Sequence, residues 1–379
     1  MIKVTILEIP LEHREVCNID ETCPTVCPDV QHWYKACEYA TFYCTTVSLL
    51  PTHQSSTNRV VARNRRIGVG IIDVANWKKD CGVYKVTRHL RKGYEIIRES
   101  AARFNGEAGV PAPIRHTTVK PGGTVPKLPG KNPAFYWPNF PYMLRRTRVQ
   151  ENGPIDKVLI ASGLPREPDV VSMNTVIYEY PLDLSGLKAA SEVSLWEQAM
   201  NLMWMQSEWA DNAVSNTLYF KPKWPKIKII QCDFISQIKE YIETDVGKIG
   251  LAKDLVEEHR DIYETDEYRL VFKYDKLRLT PHIHANCTLI EIHVHKYDPN
   301  HEEDDIEAVL SMVVPKCKSL SLCPHSDKGA YPQMPEEGIT KEEYQERLKD
   351  LPKIDWSLLN NSDGEDEKYC TSGQCEIAR

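Results

Sequence analysis

The sequence lacks the features that would commit it to a membrane or to nucleic acid. No run of about 20 apolar residues occurs among its 379 residues, so no membrane-spanning helix is expected. Its first residues do not have the basic and then apolar layout of a signal peptide. A net charge of -7 argues against a general nucleic-acid-binding surface. These absences predict a cytoplasmic protein with no membrane partner and no direct nucleic-acid binding.

What the chain does contain is typical of a globular protein with unusual cysteine content. Hydrophobic residues make up 41% and charged residues 27%, and the length suits one large domain or two of ordinary size. Twelve cysteines are many for a chain without an export signal. In a reducing cytosol most of them are expected to be free thiols, with a few left for catalysis or metal binding.

Two of these cysteines, Cys370 and Cys375, lie near the end of the chain in Tyr-Cys-Thr-Ser-Gly-Gln-Cys. The preceding residues 360–368 are acidic, contain glycine and have no core-forming pattern. Two thiols on a mobile tail can form a disulfide by exchange and move between a buried site and an external reductant. The spacing alone is equally compatible with an exposed pair that has no role.

Periodicity predicts both helices and strands. Apolar residues at helical spacing predict a helix over Tyr84–Phe104 and another over Leu195–Ala213. Strands are predicted at 67–72 and over Val170–Tyr180. Strict alternation at 290–295 predicts a strand inside a segment, 223–300, that differs in character from its surroundings and suggests a small α+β insert.

A glycine-rich loop follows at 118–130. Gly122 and Gly123 can adopt positive φ and let backbone N–H groups approach an oxyanion, and Thr124 could cap a helix or bond a phosphate. Turns of this composition are common, so the loop by itself only permits a phosphate site.

Three longer blocks, 40–53, 207–220 and 318–335, together with the glycine-rich loop and the tail, resemble the catalytic subunit of class II, adenosylcobalamin-dependent ribonucleotide reductases. The better match within that family is the monomeric ribonucleoside-triphosphate reductase type. The resemblance runs from about residue 8 to 222 and from about 301 to the end.

The resemblance implies an α/β fold, the C-terminal part of a ten-stranded α/β barrel with the active site inside. Residues 1–222 would form a partial catalytic barrel, 223–300 an α+β insert, 301–354 a return to the barrel, and 355–379 a flexible redox tail. It implies adenosylcobalamin as cofactor, a ribonucleoside triphosphate as substrate, and thioredoxin or a similar dithiol donor as partner.

The family motif also implies site residues. It reads Asn-Pro-Cys-x-Glu, followed by a Cys-Asn pair, and Glu8 and Cys17-Asn18 fall at that spacing. The Asn, Pro and radical-forming Cys positions are 4–6, which here are Val, Thr and Ile. The radical cysteine is therefore absent from this chain, and the other reducing cysteine, the allosteric site and half of the barrel precede it in the family.

Each matching residue carries a role over from the family. Glu8 matches the general base that accepts the 3′-OH proton of the ribose, and Cys17 matches one of two thiols that reduce the 2′ carbon. Cys370 and Cys375 match the tail pair that reduces the resulting disulfide. Residues 122–124, Gly122, Gly123 and Thr124, match the loop that binds the substrate phosphates, although the family usually has Ser or Thr at position 122.

Residues 1–7 do not fit the family, which suggests that an intron or intein interrupts the gene and that the missing N-terminal half joins by splicing or acts in trans. Without it the chain is expected to be inactive and poorly soluble, because half a barrel exposes strand edges and apolar surface. The alternative is a non-catalytic fragment or an interaction protein that retains the reductase fold.

Other clusters have plainer interpretations. A zinc site from Cys23, Cys27, Cys37 and His32 is weakly indicated, since the spacing matches no strong metal pattern and the prolines suggest a loop. Two histidine pairs at period two, 282/284 and 293/295, favour a solvated or structural face over a four-histidine site.

Basic and cysteine residues elsewhere are expected to be structural. The arginines at 63, 65 and 66, and those at 145, 146 and 148, are interpreted as surface clusters, with contact to phosphate as the alternative. Cys44 and Cys323 are expected to be buried packing thiols on strands. The acidic run 301–305 is expected to begin a helix.

Overall fold

The computed structural model describes residues 2–5, 12–121, 131–231, 262–264, 268–274, 289–325 and 333–359. Its strands are β1 (Ile2–Thr5), β2 (Asn18–Thr22), β3 (Ile67–Ile71), β4 (Tyr142–Gln150), β5 (Arg166–Pro168), β6 (Thr175–Asp183), β7 (Thr217–Phe220), β8 (Lys226–Gln231), β9 (Ile262–Glu264), β10 (Tyr268–Tyr274), β11 (Leu289–Lys296), β12 (Ser319–Pro324) and β13 (Glu336–Gly338). Its helices are α1 (Val30–Leu49), α2 (Ser55–Asn64), α3 (Val74–Cys81), α4 (Val83–Glu107), α5 (Pro154–Ala161), α6 (Leu195–Glu208), α7 (Ile306–Val313) and α8 (Lys341–Lys349). None of these helices is both long and apolar enough to cross a membrane.

A parallel array of extended segments organises the described part of the chain. β2 pairs with β3 in parallel, β3 continues through a bridge to Thr117, and Val119 bridges to Val214 in the same sense. The segment from Val214 leads into β7, which pairs in parallel with β12. The five segments thus follow one another in chain order, and β1 closes this row by pairing antiparallel with β12.

Helices connect these segments and cover one face of the array. α1 and α2 link the first two segments, α3 and α4 the next two, and α6 and α7 precede the last two. One buried cluster joins the helices to the strands, and it includes Trp33, Val69, Leu90, Leu202 and Val309. Alternating βα units around one core are the pattern of a parallel α/β sheet. The α/β class is as predicted, whereas closure into a ten-stranded barrel stays a prediction.

The helices form where the sequence predicts them because their apolar residues recur at helical spacing. α4 buries Val86, Leu90 and Ile97 along one stripe and extends the predicted Tyr84–Phe104 helix by a few residues. Gly93 in this stripe lies against Trp33: a Cβ at Gly93 would come within 2.6 Å of the indole ring. The missing side chain is therefore what allows α1 and α4 to pack closely.

Two further sheets are antiparallel. One has the order β13-β4-β6-β5, and α8 packs on it. Its strands β4, β5 and β6 lie between the segment at Thr117 and that at Val214, and β13 follows β12. The other sheet, in the order β8-β11-β10-β9, lies in the predicted insert. The predicted alternating strand at 290–295 is present as β11, while the expected helical part of the insert lies outside the described residues. The four predicted domain ranges remain predictions.

Two predicted boundaries differ from the structure. The strand predicted over Val170–Tyr180 begins only at Thr175, because Asn174 adopts a left-handed φ of 58° and the two valines before it are exposed. The helix predicted to reach Ala213 ends at Glu208. There the Trp209 carbonyl accepts a hydrogen bond from Thr117 Oγ1 at 2.5 Å, which turns the chain into the fourth segment.

One cysteine prediction is half correct. Cys44 is fully buried, as expected, but it lies in α1 rather than on a strand. Its spacing from Cys37 and Ala40 is helical, and the three share the buried face of α1. Cys323 does lie on a strand, β12, and is half-buried. The acidic run at 301–305 precedes α7, as predicted.

Candidate active site

The face of the parallel array opposite the helices carries the candidate site, and we call it the inner face. On β3, Val69 and Ile71 belong to the core beneath the helices, so alternation places Gly68 and Gly70 on the other side. The same alternation relative to Val214, Leu218, Leu320 and Leu322 assigns six more residues to this face. These are Ser215, Thr217, Tyr219, Ser319, Ser321 and Cys323. Small and polar side chains therefore dominate the inner face.

Cys17, immediately before β2, places its thiol on this face. A Cβ at Gly68 would lie 3.4 Å from the Cys17 Sγ, 3.3 Å from Cγ1 of Ile19 and 2.8 Å from Cγ2 of Thr118. The glycine therefore leaves the space that the thiol and its neighbours occupy. Cys17 itself is half-buried, and its Sγ lies 3.8 Å from the Asn18 carbonyl oxygen.

An acidic residue of β2, Glu21, lies farther along the inner face. A Cβ at Gly70 would come within 3.2 Å of the Glu21 Cγ, which shows how closely the carboxylate side chain packs against β3. The side chain is 1% exposed, and its Oε2 lies 3.3 Å from Nζ of Lys120. Burial raises the pKa of Glu21, although the charge of Lys120 opposes the shift. Lys120 lies in the first part of the glycine-rich loop (118–130), so this ion pair joins β2, which follows Cys17, to that loop.

A buried ion pair lies just before Cys17. Arg66 Nε donates to Glu15 Oε1 at 3.0 Å, and the two side chains are 3% and 1% exposed. Asn64 donates to the same oxygen at 3.0 Å. Burial disfavours the charge on Glu15, but the hydrogen bonds from Arg66, the Glu12 amide and Asn64 outweigh it and lower the pKa of Glu15.

Asp211 organises the start of the third and fourth segments. Its carboxylate accepts hydrogen bonds from the backbone N–H of Thr117 at 2.8 Å and from that of His116 at 2.9 Å. It also lies 3.2 Å from Nδ1 of His116. Burial opposes ionisation of Asp211, but these hydrogen bonds prevail and lower its pKa. The carboxylate thus fixes the strand that leads to the glycine-rich loop.

A cavity of about 260 Å³ adjoins the start of that loop. Its lining includes Pro121, Tyr136, Ser215, Tyr219 and Glu336, so it lies between the inner face and the first antiparallel sheet. Burial raises the pKa of Tyr136 and of Tyr219, which keeps both phenols protonated near neutral pH. The cavity is therefore lined by two neutral phenols together with Glu336, which pairs with Arg145 at 2.8 Å.

Most residues implied by the family motif lie outside the described part of the chain. These are Glu8, Gly122, Gly123, Thr124, Cys370 and Cys375. Cys17 is described, and it lies on the inner face. Glu15, Glu21 and Asp211 were not singled out as site residues from the sequence, although Asp211 lies in the family-like block 207–220. Arg66 was considered only as part of a basic cluster, with contact to phosphate as the alternative to a surface position.

The residues considered for zinc are not gathered into a metal site. Within the described ranges no group of three or more His, Cys, Asp or Glu side chains could hold a metal ion. Cys37 lies in α1 rather than in a loop, and its thiol is fully buried. Burial raises the pKa of Cys23, of Cys27 and of Cys37, so all three are protonated thiols near neutral pH.

The arginine clusters are not simple surface clusters. Arg66 is buried against Glu15. Arg145 and Arg146 have side chains only 12% exposed, and they pair with Glu336 at 2.8 Å and Glu179 at 2.6 Å. Each pairing brings together residues distant in the sequence, which is why composition alone predicted exposure. Of the histidine pairs, residues 293 and 295 lie on β11, and 282 and 284 lie outside the described residues.

Comparison with curated proteins identifies several relatives. The chain is 31% identical over 236 residues to a probable adenosylcobalamin-dependent ribonucleoside-triphosphate reductase of Dictyostelium discoideum, which covers 62% of this chain and 31% of that protein. It is 32% identical over 219 residues to the adenosylcobalamin-dependent ribonucleoside-triphosphate reductase of Euglena gracilis, and the match covers 57% of this chain and 30% of that protein. The enzyme of the same name from Levilactobacillus brevis is 30% identical over 248 residues, and the match covers 57% of this chain and 33% of that protein.

The chain thus spans about a third of the length of the curated relatives that it matches. No model of a known protein family matches it. A crystal structure of a B12-dependent class II ribonucleotide reductase superposes with a TM-score of 0.62 at 22% identity, covering 94% of this chain and 43% of that one. That likeness supports the α/β fold. The chain is therefore a relative of the adenosylcobalamin-dependent ribonucleoside-triphosphate reductases, as its motifs predict.

Proposed function

We infer that the chain contributes the C-terminal part of a ribonucleoside-triphosphate reductase, which converts ribonucleotides to 2′-deoxyribonucleotides. The observation that carries this proposal is the position of Cys17, whose thiol lies on the inner face beside Gly68 rather than among the helices. A reducing thiol must reach a substrate, and the small residues of this face leave room for one.

The reaction divides among the side chains as follows. A thiyl radical removes the 3′ hydrogen of the ribose, and the Glu8 carboxylate accepts the 3′-OH proton so that the 2′-OH leaves as water. Cys17 and a second thiol then supply two electrons and two protons in all, and the two sulfurs become a disulfide. The radical-forming thiol returns the 3′ hydrogen to the ribose and becomes a thiyl radical again. Cys370 and Cys375 reduce that disulfide by exchange and are in turn reduced by thioredoxin or a similar dithiol protein.

Two of these groups have no assigned residue in this chain. At the position that the family motif gives to the radical cysteine, this sequence has Ile6, and the resemblance implies no partner thiol for Cys17 among the residues matched. We therefore propose that a partner polypeptide segment carries both groups.

Substrate phosphates are proposed to bind at Gly122, Gly123 and Thr124, through backbone N–H groups. In support, Lys120 Nζ lies 3.3 Å from Glu21 Oε2, so the chain just before these residues contacts the strand that follows Cys17. The cavity beside Pro121 adjoins the same loop.

Adenosylcobalamin, when bound, would supply the radical that starts the reaction. The cavity of about 260 Å³ beside the inner face is far too small for a corrin. Two larger hollows, of about 970 Å³ along α7 and of about 390 Å³ between α1 and α4, are lined mainly by residues of helices on the opposite side of the array. No described residue of this chain is therefore assigned to the cofactor.

The test is isolation of the protein from its source cells with an affinity tag on this chain. Associated polypeptides and the mature sequence before Glu8 are then determined by mass spectrometry, and deoxynucleotide formation is assayed with adenosylcobalamin, each ribonucleoside triphosphate and reduced thioredoxin. Turnover that Cys17→Ser abolishes and Cys81→Ser preserves is the expected result, since Cys81 is exposed and outside the site. A preparation with the full partner segment but no turnover would support the non-catalytic alternative.

The tail is tested in the same preparation. Cys370→Ser and Cys375→Ser are expected to stop thioredoxin-driven turnover while single-turnover reduction by the Cys17 pair continues. Unchanged thioredoxin-driven turnover would show that the tail carries no electrons.

A further inference from the structure

We propose that Arg66 and Glu15 act as positioning residues that hold the Cys17 thiol on the inner face. The inference rests on the proposed function of Cys17, and its geometry comes from contacts that the family motif does not contain. It concerns a buried polar network, here called the strand-start network, formed by Glu15, Asn64, Arg66 and Asn212.

The local chain path explains how Arg66 reaches Glu15. Helix α2 ends at Asn64, and Arg65 adopts a left-handed φ of 47° with its Nη1 donating to the Ser48 carbonyl at 2.6 Å. This turn separates the helix from β3. Arg66 immediately precedes β3, with its guanidinium buried beside Glu15 and only 4% of the residue exposed.

The guanidinium also reaches the fourth segment. Arg66 Nη1 donates to Asn212 Oδ1 at 3.2 Å. The amide of Asn212 in turn donates to the carbonyl of Ile67 at 3.0 Å and to that of Thr117 at 2.9 Å. The strand-start network therefore joins the beginnings of four adjacent segments of the array.

Cys17 lies two residues after Glu15, and Gly68 lies two residues after Arg66. The thiol faces the Gly68 position, so the ion pair and the thiol occupy successive levels between the same two strands. If Arg66 were absent, the segment 12–15 would keep the Glu12–Glu15 turn and its contacts with α2, which are Arg63–Glu12, Asn64–Glu12 at 3.2 Å and Arg14–Ser56 at 3.0 Å. Those contacts belong to Glu12 and Arg14, whereas Arg66 pairs with Glu15, two residues before Cys17.

The Arg66–Glu15 pair is buried, so removal of either charge should have a large local effect. Loss of one member of a buried pair leaves the other charge without compensation, and the segment carrying it tends to move toward water. A neighbouring pair offers a matched comparison, because Arg63 and Glu12 are 61% and 48% exposed in their side chains and lie one turn away. Exposed pairs of this kind contribute little to local order.

The experiment measures alkylation of each cysteine in the full chain by iodoacetamide, with peptide mass spectrometry. Arg66→Gln is expected to raise the alkylation rate of Cys17 about fivefold or more, corresponding to local destabilisation of about 1 kcal/mol. Arg66→Lys should produce a smaller change in this rate, since lysine keeps the positive charge but lacks the planar set of donors of a guanidinium. Arg63→Gln should leave the rate as in the parent protein. Cys37 and Cys44, fully buried in α1, should stay protected throughout and report an intact fold.

A Cys17 rate within twofold of the parent in Arg66→Gln, with Cys37 and Cys44 protected, would overturn the proposal. If Cys37 and Cys44 become reactive in Arg66→Gln, that variant has lost its fold, and the proposal is judged on Arg66→Lys instead, because lysine leaves Glu15 paired with a cation. An equal response of Cys17 and Cys44 in that variant also contradicts specific positioning. These readouts need no turnover, so failure of the proposed reductase activity would be recognised separately, from Cys17→Ser.

Discussion

The thiol of Cys17 lies 3.4 Å from the point that a Cβ on Gly68 would occupy. Cys17 immediately precedes β2 and Gly68 lies on the adjacent strand β3, where the absence of a side chain leaves the thiol its place on the inner face. This relationship links the sequence motif that contains Cys17 to a glycine about fifty residues later, which no local pattern indicates.

Substitution Gly68→Ala should therefore crowd the inner face. The new methyl group would meet Thr118 Cγ2 at 2.8 Å, a distance that real side chains avoid. We expect a loss of about 1–3 kcal/mol in the free energy of unfolding, measured with urea. Gly106→Ala in α4 is the control, since a Cβ there meets nothing within 4 Å and alanine favours a helix. Equal stability of the two variants would contradict the crowding.

The buried Arg66–Glu15 pair should be costly to break and much less costly to replace. Arg66→Met alone is expected to lower the free energy of unfolding by about 3–5 kcal/mol, because Glu15 is left buried and unpaired. The double variant Arg66→Met/Glu15→Leu should recover most of that loss. Urea unfolding of the parent, single and double variants measures the coupling. A double variant as unstable as the single one would argue that packing, rather than unpaired charge, dominates.

The thiols should differ strongly in reactivity at pH 8. Burial raises the pKa of Cys44 to about 12 and that of Cys317 to about 11, so both remain protonated and enclosed. Cys81 is exposed on α3 and should be alkylated well before Cys44 and Cys317. Timed alkylation with peptide mass spectrometry gives the order. Early labelling of Cys44 in folded protein would contradict its buried position.

Acid should weaken the contact between the third and fourth segments. The folded-state pKa of Asp211 lies below its ordinary value of 3.8, so its stabilising contribution is complete above that value and is lost as the pH falls through the folded pKa. Asp211→Asn should lose this contribution already at pH 7. The variant should then show a shallower fall in stability than the parent below about pH 4. Parallel pH profiles for the two proteins would contradict this role.

Much of the candidate site could be predicted from the sequence as identities but not as geometry. The family motifs named Cys17, and helical periodicity predicted α4 within a few residues, because both depend on residues close together in the chain. The four residues of the strand-start network come from three separate parts of the sequence. Nothing in their composition indicates that they meet, and Arg66 therefore resembled a surface residue.

Local periodicity and ordered motifs are properties of the chain alone, and they were enough to predict the principal helices, several strands, the thiol content and the similarity to cobalamin-dependent reductases. The face that carries Cys17, the reason for glycine at positions 68 and 70, and the set of buried charges became apparent only from the folded chain. Those features depend on strand pairing, and pairing brings together residues that the sequence keeps far apart.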